Sequence, residues 1–215
     1  MEETRGFVGI ANVIAPTERV FQESCRLSLS IGQRYMEDIS RLPHNLDKRK
    51  RECQAIIETP KGRRNKFKYE PDSCLFSLSN LLPQGFSFPF DFGFIPSTAA
   101  EDGDPLDIIV LMDEPAHVGC LLNVRVVGVV KVMQTEDGKK SENDRLVAVA
   151  ARSFDFRDVK SISDLNQPLV QQITEFLGLY NKNSGKDDEV TGVEGPPAAM
   201  KLLERAVQKF KNEKG

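Results

Sequence analysis

The feature that most limits the fold is a long β-rich run at residues 121–133. The run is rich in valine, a residue enriched in strands. Gly128 lies inside it, and a glycine within a strand is typical of a β-bulge. We therefore predict a long, bent strand of the kind that barrels use.

Shorter strands precede and follow this run, and helices complete the chain. The strand patterns lie at residues 53–60, 66–70, 74–78, 108–111 and 146–150. From Leu169 to Tyr180, and again from about Pro197, apolar residues recur at helical spacing. Residues 183–188 and 192–197 are typical of loops. The pattern predicts a mainly β fold with α-helices, a small β-barrel with two C-terminal helices packed against it.

An acidic segment, residues 101–107, leads directly into one of the predicted strands with the sequence Glu-Asp-Gly-Asp-Pro-Leu-Asp. Side chains two apart in a strand share a face, so Asp102 and Asp104 would point the same way. Asp107 would point the opposite way in a regular strand. Pro105 sets its own φ and cannot donate to a sheet, so an irregular entry could bring Asp107 back toward the other two.

Two interpretations of the acidic segment are open from the residues alone. Three carboxylates beside a flexible glycine, with no cysteine or histidine nearby, suit Mg²⁺, Mn²⁺ or Ca²⁺ better than zinc. The alternative is a solvated acidic turn before a buried strand. An EF-hand is excluded, because the characteristic distal glutamate and the following helix are missing.

Two other charged groups also have both an ordinary and a functional interpretation. Lys66, Lys68 and Glu70 fall on one face of a predicted strand. They could form a solvated face, or a lysine–glutamate pair among them could hold phosphate and metal-bound water beside an acidic metal site. Residues 135–140 form a charged hairpin turn, and acidic residues occur in such turns for conformational reasons alone.

Composition excludes several classes of protein. The formal net charge of -3 argues against non-specific nucleic-acid binding, and no apolar run approaches the length of a membrane span. The four cysteines are far apart and include no CxxC pair, so neither a zinc site nor a disulfide framework is indicated. With no signal peptide visible, a cytoplasmic location is the simplest expectation.

Residues 1–35 differ from the rest of the chain because they show no clear period. A targeting peptide would be poor in acidic residues, yet this segment contains Glu2, Glu3, Glu18 and Glu23. We expect a peripheral N-terminal extension, with disorder as one alternative, followed by a single domain at residues 36–215.

Residues 102–107 match in full the D-x-D-P-x-D signature of the soluble family I inorganic pyrophosphatases, which this chain resembles. Supporting segments occur in the family's order and with similar spacing at residues 58–60, 68–70, 88–94, 127–129, 145–149 and 192–195. The similarity runs from about Ala55 to the C-terminal helix. It implies an OB-like closed β-barrel and an inorganic diphosphatase (EC 3.6.1.1), which hydrolyses diphosphate to two phosphates by metal-activated water.

The resemblance also implies roles for individual residues. The metal ligands would be Asp102, Asp104, Asp107, Glu136, Asp137 and Asp144. The catalytic residues would be Asp104, as the base on the attacking water, with Lys68, Arg145 and Tyr180. The substrate-binding residues would be Lys68, Glu58, Glu70, Arg145, Tyr180 and Lys182.

The implied cofactor is Mg²⁺, with Mn²⁺ or other divalent ions as alternatives. Diphosphate and phosphate would be the ligands, and neither nucleic acid nor a membrane is an expected partner. The resemblance suggests a homo-oligomer, often a hexamer in bacterial members.

Several residues depart from the family pattern, mostly around the substrate. Phe88 and Phe92 replace tyrosines, and Asn80 replaces an arginine. The other departures are the reversed order of Glu136-Asp137, Arg145 for lysine, Asn143 for aspartate with Asp144 beside it, and Asn181 for lysine with Lys182 next to it. A catalytically weakened barrel that binds phosphorylated ligands or a protein partner is therefore an alternative. Oligonucleotide binding, common among OB-like barrels, is disfavoured because the acidic cluster would repel phosphate backbones.

Overall fold

The computed structural model describes residues 37–181 and 186–214 of the chain. The described strands are β1 (Glu52–Thr59), β2 (Asn65–Glu70), β3 (Leu75–Leu81), β4 (Asp91–Ile95), β5 (Leu106–Leu111), β6 (Leu121–Glu136), β7 (Lys139–Glu142), β8 (Arg145–Ala150) and β9 (Asp187–Glu194). The α-helices are α1 (Gln167–Tyr180) and α2 (Pro196–Lys214). The extension predicted at residues 1–35 lies outside the described residues, and its boundary stays a prediction.

The main sheet closes into a ring of five strands within the described residues. β1 pairs with β4 on one side and with β6 on the other, and the order β4, β5, β8, β6 completes the ring. Only the β5–β8 pair in the ring is parallel. β7 and β9 pair with β6, while β2 and β3 form a separate hairpin. The predicted mainly β, OB-like closed fold with two helices is confirmed.

The long strand β6 bends at the predicted glycine. Its register with β8 shifts between Val126 and Gly128, which confirms the expected bulge. A Cβ on Gly128 would lie 2.7 Å from Cβ of Ile162 and 2.8 Å from the carbonyl oxygen of Glu194. The bulge therefore allows β6 to pass close to its neighbours at a point where only glycine fits.

Strand β9 was not predicted, and it corrects the interpretation of its two ends as loops. It pairs along β6 from Val129↔Glu194 to Thr135↔Asp187, with an irregularity between Lys131 and Val132. Its residues are largely polar and show no apolar alternation, because most of the strand is exposed. The backbone pairing with β6, rather than burial of side chains, defines this strand.

Alternate residues of the ring pack into two apolar clusters. Ile108 and Val110 of β5 belong to the cluster that includes Leu203 of α2, whereas Ile109 and Leu111 belong to the cluster that includes Ile173 and other residues of α1. The side-chain period of two in a strand produces this division. Within the described residues, neither helix is long and apolar enough to span a membrane.

Replacing Gly93 should destabilise the ring. A Cβ on Gly93 in β4 would lie 1.9 Å from the carbonyl oxygen of Ile56 in β1, so the two paired strands would have to separate. We expect Gly93→Ala to lower the free energy of unfolding by about 1–3 kcal/mol or more, the usual cost of overpacking. Urea denaturation measures this. Gly192→Ala is the matched control, because a Cβ there meets nothing within 4 Å, and equal losses in the two variants would contradict the account.

Candidate active site

The acidic segment folds into a tight turn ahead of β5. The N–H of Ala100 donates to the carbonyl oxygen of Asp104 at 2.8 Å, and the N–H of Gly103 donates to the carbonyl oxygen of Ala100 at 3.1 Å. Gly103 has a φ of +86°, a conformation that favours glycine. The N–H of Asp104 also donates to Oδ1 of Asp102 at 3.1 Å. Local hydrogen bonds thus fix the backbone that carries both aspartates.

One cavity of about 560 Å³ gathers the predicted carboxylates and cations. Asp102 and Asp104 line it, and so does Asp107, although Asp107 lies on β5 opposite Phe94. The irregular entry expected from Pro105 therefore ends with all three aspartates at one cavity. The other predicted site residues that line it are Glu58, Lys68, Glu70, Arg145 and Tyr180.

Glu58 reaches the cavity through a strand irregularity. The register of β1 with β4 shifts between Ile57 and Thr59, and such a shift re-aims the intervening side chain. Burial raises the pKa of Glu58 to about 7, partly offset by the N–H of Tyr69 and increased by Asp107. That N–H donates to Oε1 of Glu58 at 2.7 Å. A carboxyl group with so raised a pKa in a cleft is typical of functional sites.

Lys68 and Glu70 extend from β2 on the same side of the cavity. Nζ of Lys68 donates to Oδ2 of Asp104 at 2.8 Å. Partial burial lowers the pKa of Lys68, but the hydrogen bond and charge of Asp104 outweigh it, so the net pKa is raised. Oγ of Ser77 on β3 donates to Oε1 of Glu70 at 2.8 Å. The β2–β3 hairpin therefore supplies both a cation and a carboxylate.

Arg145 is a fully buried cation at the cavity wall, only 1% exposed. Its guanidinium donates to the hydroxyl of Tyr180 at 3.1 Å and to the carbonyl oxygen of Asn143. Its Nε lies 3.5 Å from Oδ2 of Asp107, and one terminal nitrogen lies 3.9 Å from Oδ2 of Asp188. Burial by itself would lower the pKa of Arg145, but Tyr180 and the two carboxylates raise it by more. The net pKa is raised, so the group stays charged.

A buried polar group behind Arg145 was missed by sequence reasoning. Asp188 accepts hydrogen bonds from Nε2 of Gln134 at 2.8 Å and from Nδ2 of Asn181 at 2.7 Å. Gln134, Asn181 and Lys186 all line the cavity. Asp188 has no recognisable signal in the sequence, because its segment is typical of a loop. The pairing of β9 with β6 brings this carboxylate to the site.

Lys66 also lines the cavity. Its Nζ lies 5.2 Å from the centre of the Tyr180 ring, within the range of a cation–π contact. The alternation at residues 66–70 places it on the same face as Lys68, whereas the resemblance implies no role for it. The signal for Lys66 was therefore present in the sequence.

Three of the predicted metal ligands, Glu136, Asp137 and Asp144, are not among the residues that line the cavity. Asp144 is buried, where it accepts from Nζ of Lys131 and from the N–H of Val132 at 3.0 Å. Glu136 pairs with Lys186 at 2.9 Å, and Asp137 lies at the exposed tip of the β6–β7 hairpin. Lys182 falls outside the described residues. The roles of Glu136, Asp137 and Asp144 as metal ligands, and of Lys182 as a substrate-binding residue, stay predictions.

The carboxylates that line the cavity are chemically suitable ligands for a hard divalent cation. Its donors are carboxylate oxygens, which Mg²⁺ and Mn²⁺ prefer. Desolvation raises the pKa of Asp107, and the charge of Arg145 offsets this only in part. Burial also raises the pKa of Glu58. A bound cation would stabilise the charged form of both carboxyl groups. Among the described residues no three carboxylate, cysteine or histidine side chains are already gathered as a metal site. To bind the ion, Asp104 would therefore have to give up its hydrogen bond from Lys68.

The residues that depart from the family pattern lie in two different environments. Phe92 and Asn80 line the cavity. Phe88 does not, and instead packs edge-on against Phe176 and Tyr180, with ring centres 5.1 and 6.0 Å apart. Both Phe88 and Phe92 are buried. The cavity consequently has an aromatic ring and a neutral amide where the resemblance implies a hydroxyl and a guanidinium.

Comparison with known proteins decides the family. The family model described as inorganic pyrophosphatase matches residues 55–211, which is most of the chain and agrees with the similarity expected from about Ala55. The chain belongs to the inorganic pyrophosphatase family. This confirms the resemblance and the expected enzyme class, inorganic diphosphatase.

Relatives support the pyrophosphatase assignment over most of the chain. The inorganic pyrophosphatase of Synechocystis is 33% identical over 174 residues, which are 81% of this chain and 99% of that protein. That of Thermus thermophilus is 34% identical over 179 residues, 82% and 99% of the two chains. Its crystal structure superposes with a TM-score of 0.74 at 33% identity, covering 81% and 99%. An inorganic pyrophosphatase from Neisseria gonorrhoeae gives 0.72 at 28% identity, with the same coverage.

Proposed function

We propose that this chain hydrolyses inorganic diphosphate to two phosphates, with Mg²⁺ as the cofactor and Mn²⁺ or another divalent ion as an alternative. Family membership supports the reaction. The observation that carries the assignment to this cavity is that Asp102, Asp104 and Asp107 line it together with Lys68 and Arg145. Carboxylates for metal ions and cations for phosphate thus face one space.

The proposed roles follow from the positions of the side chains. Asp102, Asp104 and Asp107 would hold the metal ions, with Glu58 and Glu70 as outer carboxylates. Asp104 would take the proton of the attacking water at a carboxylate oxygen. Bound metal ions would lower the pKa of that water and neutralise phosphate charge.

Cationic and hydroxyl donors would bind the phosphates. Lys68 is half exposed and would leave Asp104 for a phosphate oxygen. Arg145 is held by Tyr180 and two carboxylates, and its Nε makes no hydrogen bond to the described residues. A fixed cation at the cavity wall suits an anionic ligand, and fixed donors aimed at developing charge lower the barrier of phosphoryl transfer.

The assembly and location of the protein are further parts of the proposal. We propose a homo-oligomer, with a hexamer as the expected form, on the resemblance to bacterial members of the family. The proposed location is the cytoplasm.

A second candidate function is a weakened barrel that binds phosphorylated ligands or a protein partner. The observation that favours it is that Phe92 and Asn80 line the cavity where the resemblance implies a hydroxyl and a guanidinium. Each missing donor would weaken the hold on phosphate. Three lysines, Lys66, Lys68 and Lys186, line the same cavity and supply alternative positive charge, which favours the first candidate.

A phosphate-release assay tests the proposed function. We expect the purified chain to release phosphate from diphosphate with Mg²⁺ present, to stop when the ion is chelated, and to recover when Mg²⁺ is restored. Nucleoside triphosphates serve as controls and should release far less phosphate. Release that persists without divalent ions, or that is fastest from nucleoside triphosphates, would overturn the proposal.

A further inference from the structure

The C-terminal helix α2 contacts the backbone that precedes the acidic segment. Nζ of Lys209 donates to the carbonyl oxygen of Ala100 at 2.7 Å. One turn earlier on the helix, the carbonyl oxygen of Ala206 accepts from the N–H of Ala99 at 3.0 Å. The Lys209 side chain is about one-quarter exposed, so water competes less for this bond than for a surface pair.

Ala100 is the residue that closes the turn of the acidic segment. Its N–H donates to the carbonyl oxygen of Asp104, and its carbonyl oxygen accepts from the N–H of Gly103 as well as from Lys209. Ala100 also lines the cavity with Asp102 and Asp104. A change at the Ala100 carbonyl would therefore be transmitted to both aspartates through one short turn.

Charge on the helix reinforces this attachment. Glu101 lies 3.4 Å from Nζ of Lys209 and 3.7 Å from a guanidinium nitrogen of Arg205. Arg205 also reaches Glu142 at the end of β7, at 3.6 Å. The pairs of Arg205 are half exposed and contribute little by themselves, so Lys209, with its bond to a backbone carbonyl, is the principal link.

We propose that Lys209 is a positioning residue for divalent-cation binding. It touches neither the ion nor the diphosphate, and it holds the Ala100 turn so that Asp102 and Asp104 face the cavity. The inference rests on the proposed function only in taking these aspartates as metal ligands. Groups that orient metal ligands typically alter metal affinity about 10–100-fold, and an effect through the backbone belongs at the low end.

Calorimetric titration of the full chain with Mn²⁺, without diphosphate, tests this role. We expect Lys209→Met to bind Mn²⁺ about tenfold more weakly than the unmodified chain. Lys209→Arg should recover most of the affinity, because it can still donate to Ala100. Lys201→Met is the matched control on an exposed position of the same helix, and it should leave the affinity unchanged.

Hydrogen exchange of the Gly103 amide provides a second readout that needs no ion. Its N–H is bonded to the same Ala100 carbonyl, so Lys209→Met should speed its exchange while α1 keeps its protection. Unchanged Mn²⁺ affinity in Lys209→Met, unchanged exchange of the Gly103 amide in that variant, or equal losses in Lys201→Met, would each overturn the inference.

The two proposals fail in distinguishable ways. Weakened Mn²⁺ binding in Lys209→Met, in a chain that does not hydrolyse diphosphate, would sustain the inference and refute the proposed function. Mg²⁺-dependent hydrolysis, with Lys209→Met binding Mn²⁺ normally, would sustain the function and refute the inference.

Discussion

Asp104→Asn should abolish most diphosphate hydrolysis. The substitution removes the proposed base, and a positioned general base typically contributes about 10²–10⁴-fold to a rate. It keeps the size of the side chain, and the Asp104–Lys68 pair is about half exposed, so stability should change by less than about 1 kcal/mol. Phosphate release with saturating Mg²⁺ and diphosphate measures the effect on kcat.

Asp158→Asn is the control for this substitution. Asp158 is almost fully exposed and pairs only weakly with Arg157, at 3.5 Å, so its loss should change neither rate nor stability. An Asp104→Asn protein that hydrolyses diphosphate at the original rate would remove Asp104 from the proposed mechanism. The other carboxylates of the cavity would then be the candidates for the base.

Arg145→Met should reduce both stability and activity. Arg145 lies between Asp107 and Asp188, and its removal would leave two carboxylates without their buried counter-charge. Breaking a buried ion pair by removing one partner typically costs about 3–5 kcal/mol. We expect the urea midpoint to fall accordingly, and the rate of phosphate release to fall in the fraction that stays folded.

Arg145→Lys separates charge from geometry. A lysine keeps the positive charge but loses the planar fork that reaches Tyr180 and the Asn143 carbonyl together. Its stability should lie between those of Arg145→Met and the unmodified chain. The exposed Arg152→Met should match the unmodified chain, and an Arg145→Met protein as stable as that control would contradict the buried-charge account.

The parts of the fold that have strong local signals could be predicted from sequence. Residues 121–133 predicted β6 because valine is enriched in strands. Gly128 predicted the bulge because a glycine within a strand is typical of one. The two helices followed from the spacing of apolar residues. The number and spacing of the aspartates at residues 102–107 left two interpretations open, and the resemblance to the family signature selected the metal site. The structure brings all three aspartates to one cavity.

The remaining parts depend on contacts between distant segments. Strand β9 has little apolar character, so its pairing with β6 could not be seen in its own residues. Asp188 becomes part of the site only through that pairing, and Lys209 only because α2 packs beside Ala100. Two acidic residues illustrate the converse: Glu136 at the end of β6 and Asp144 between β7 and β8 pair with lysines and do not line the cavity.

A single-turnover experiment tests the central claim most directly, because it separates hydrolysis from binding. Protein in excess over labelled diphosphate is mixed with Mg²⁺, quenched at successive times, and analysed for intact diphosphate and phosphate. The account predicts that all bound diphosphate is converted to two phosphates, and that chelation of Mg²⁺ prevents the conversion. Diphosphate that binds tightly with Mg²⁺ and is recovered intact would contradict the account and identify the chain as a binding protein.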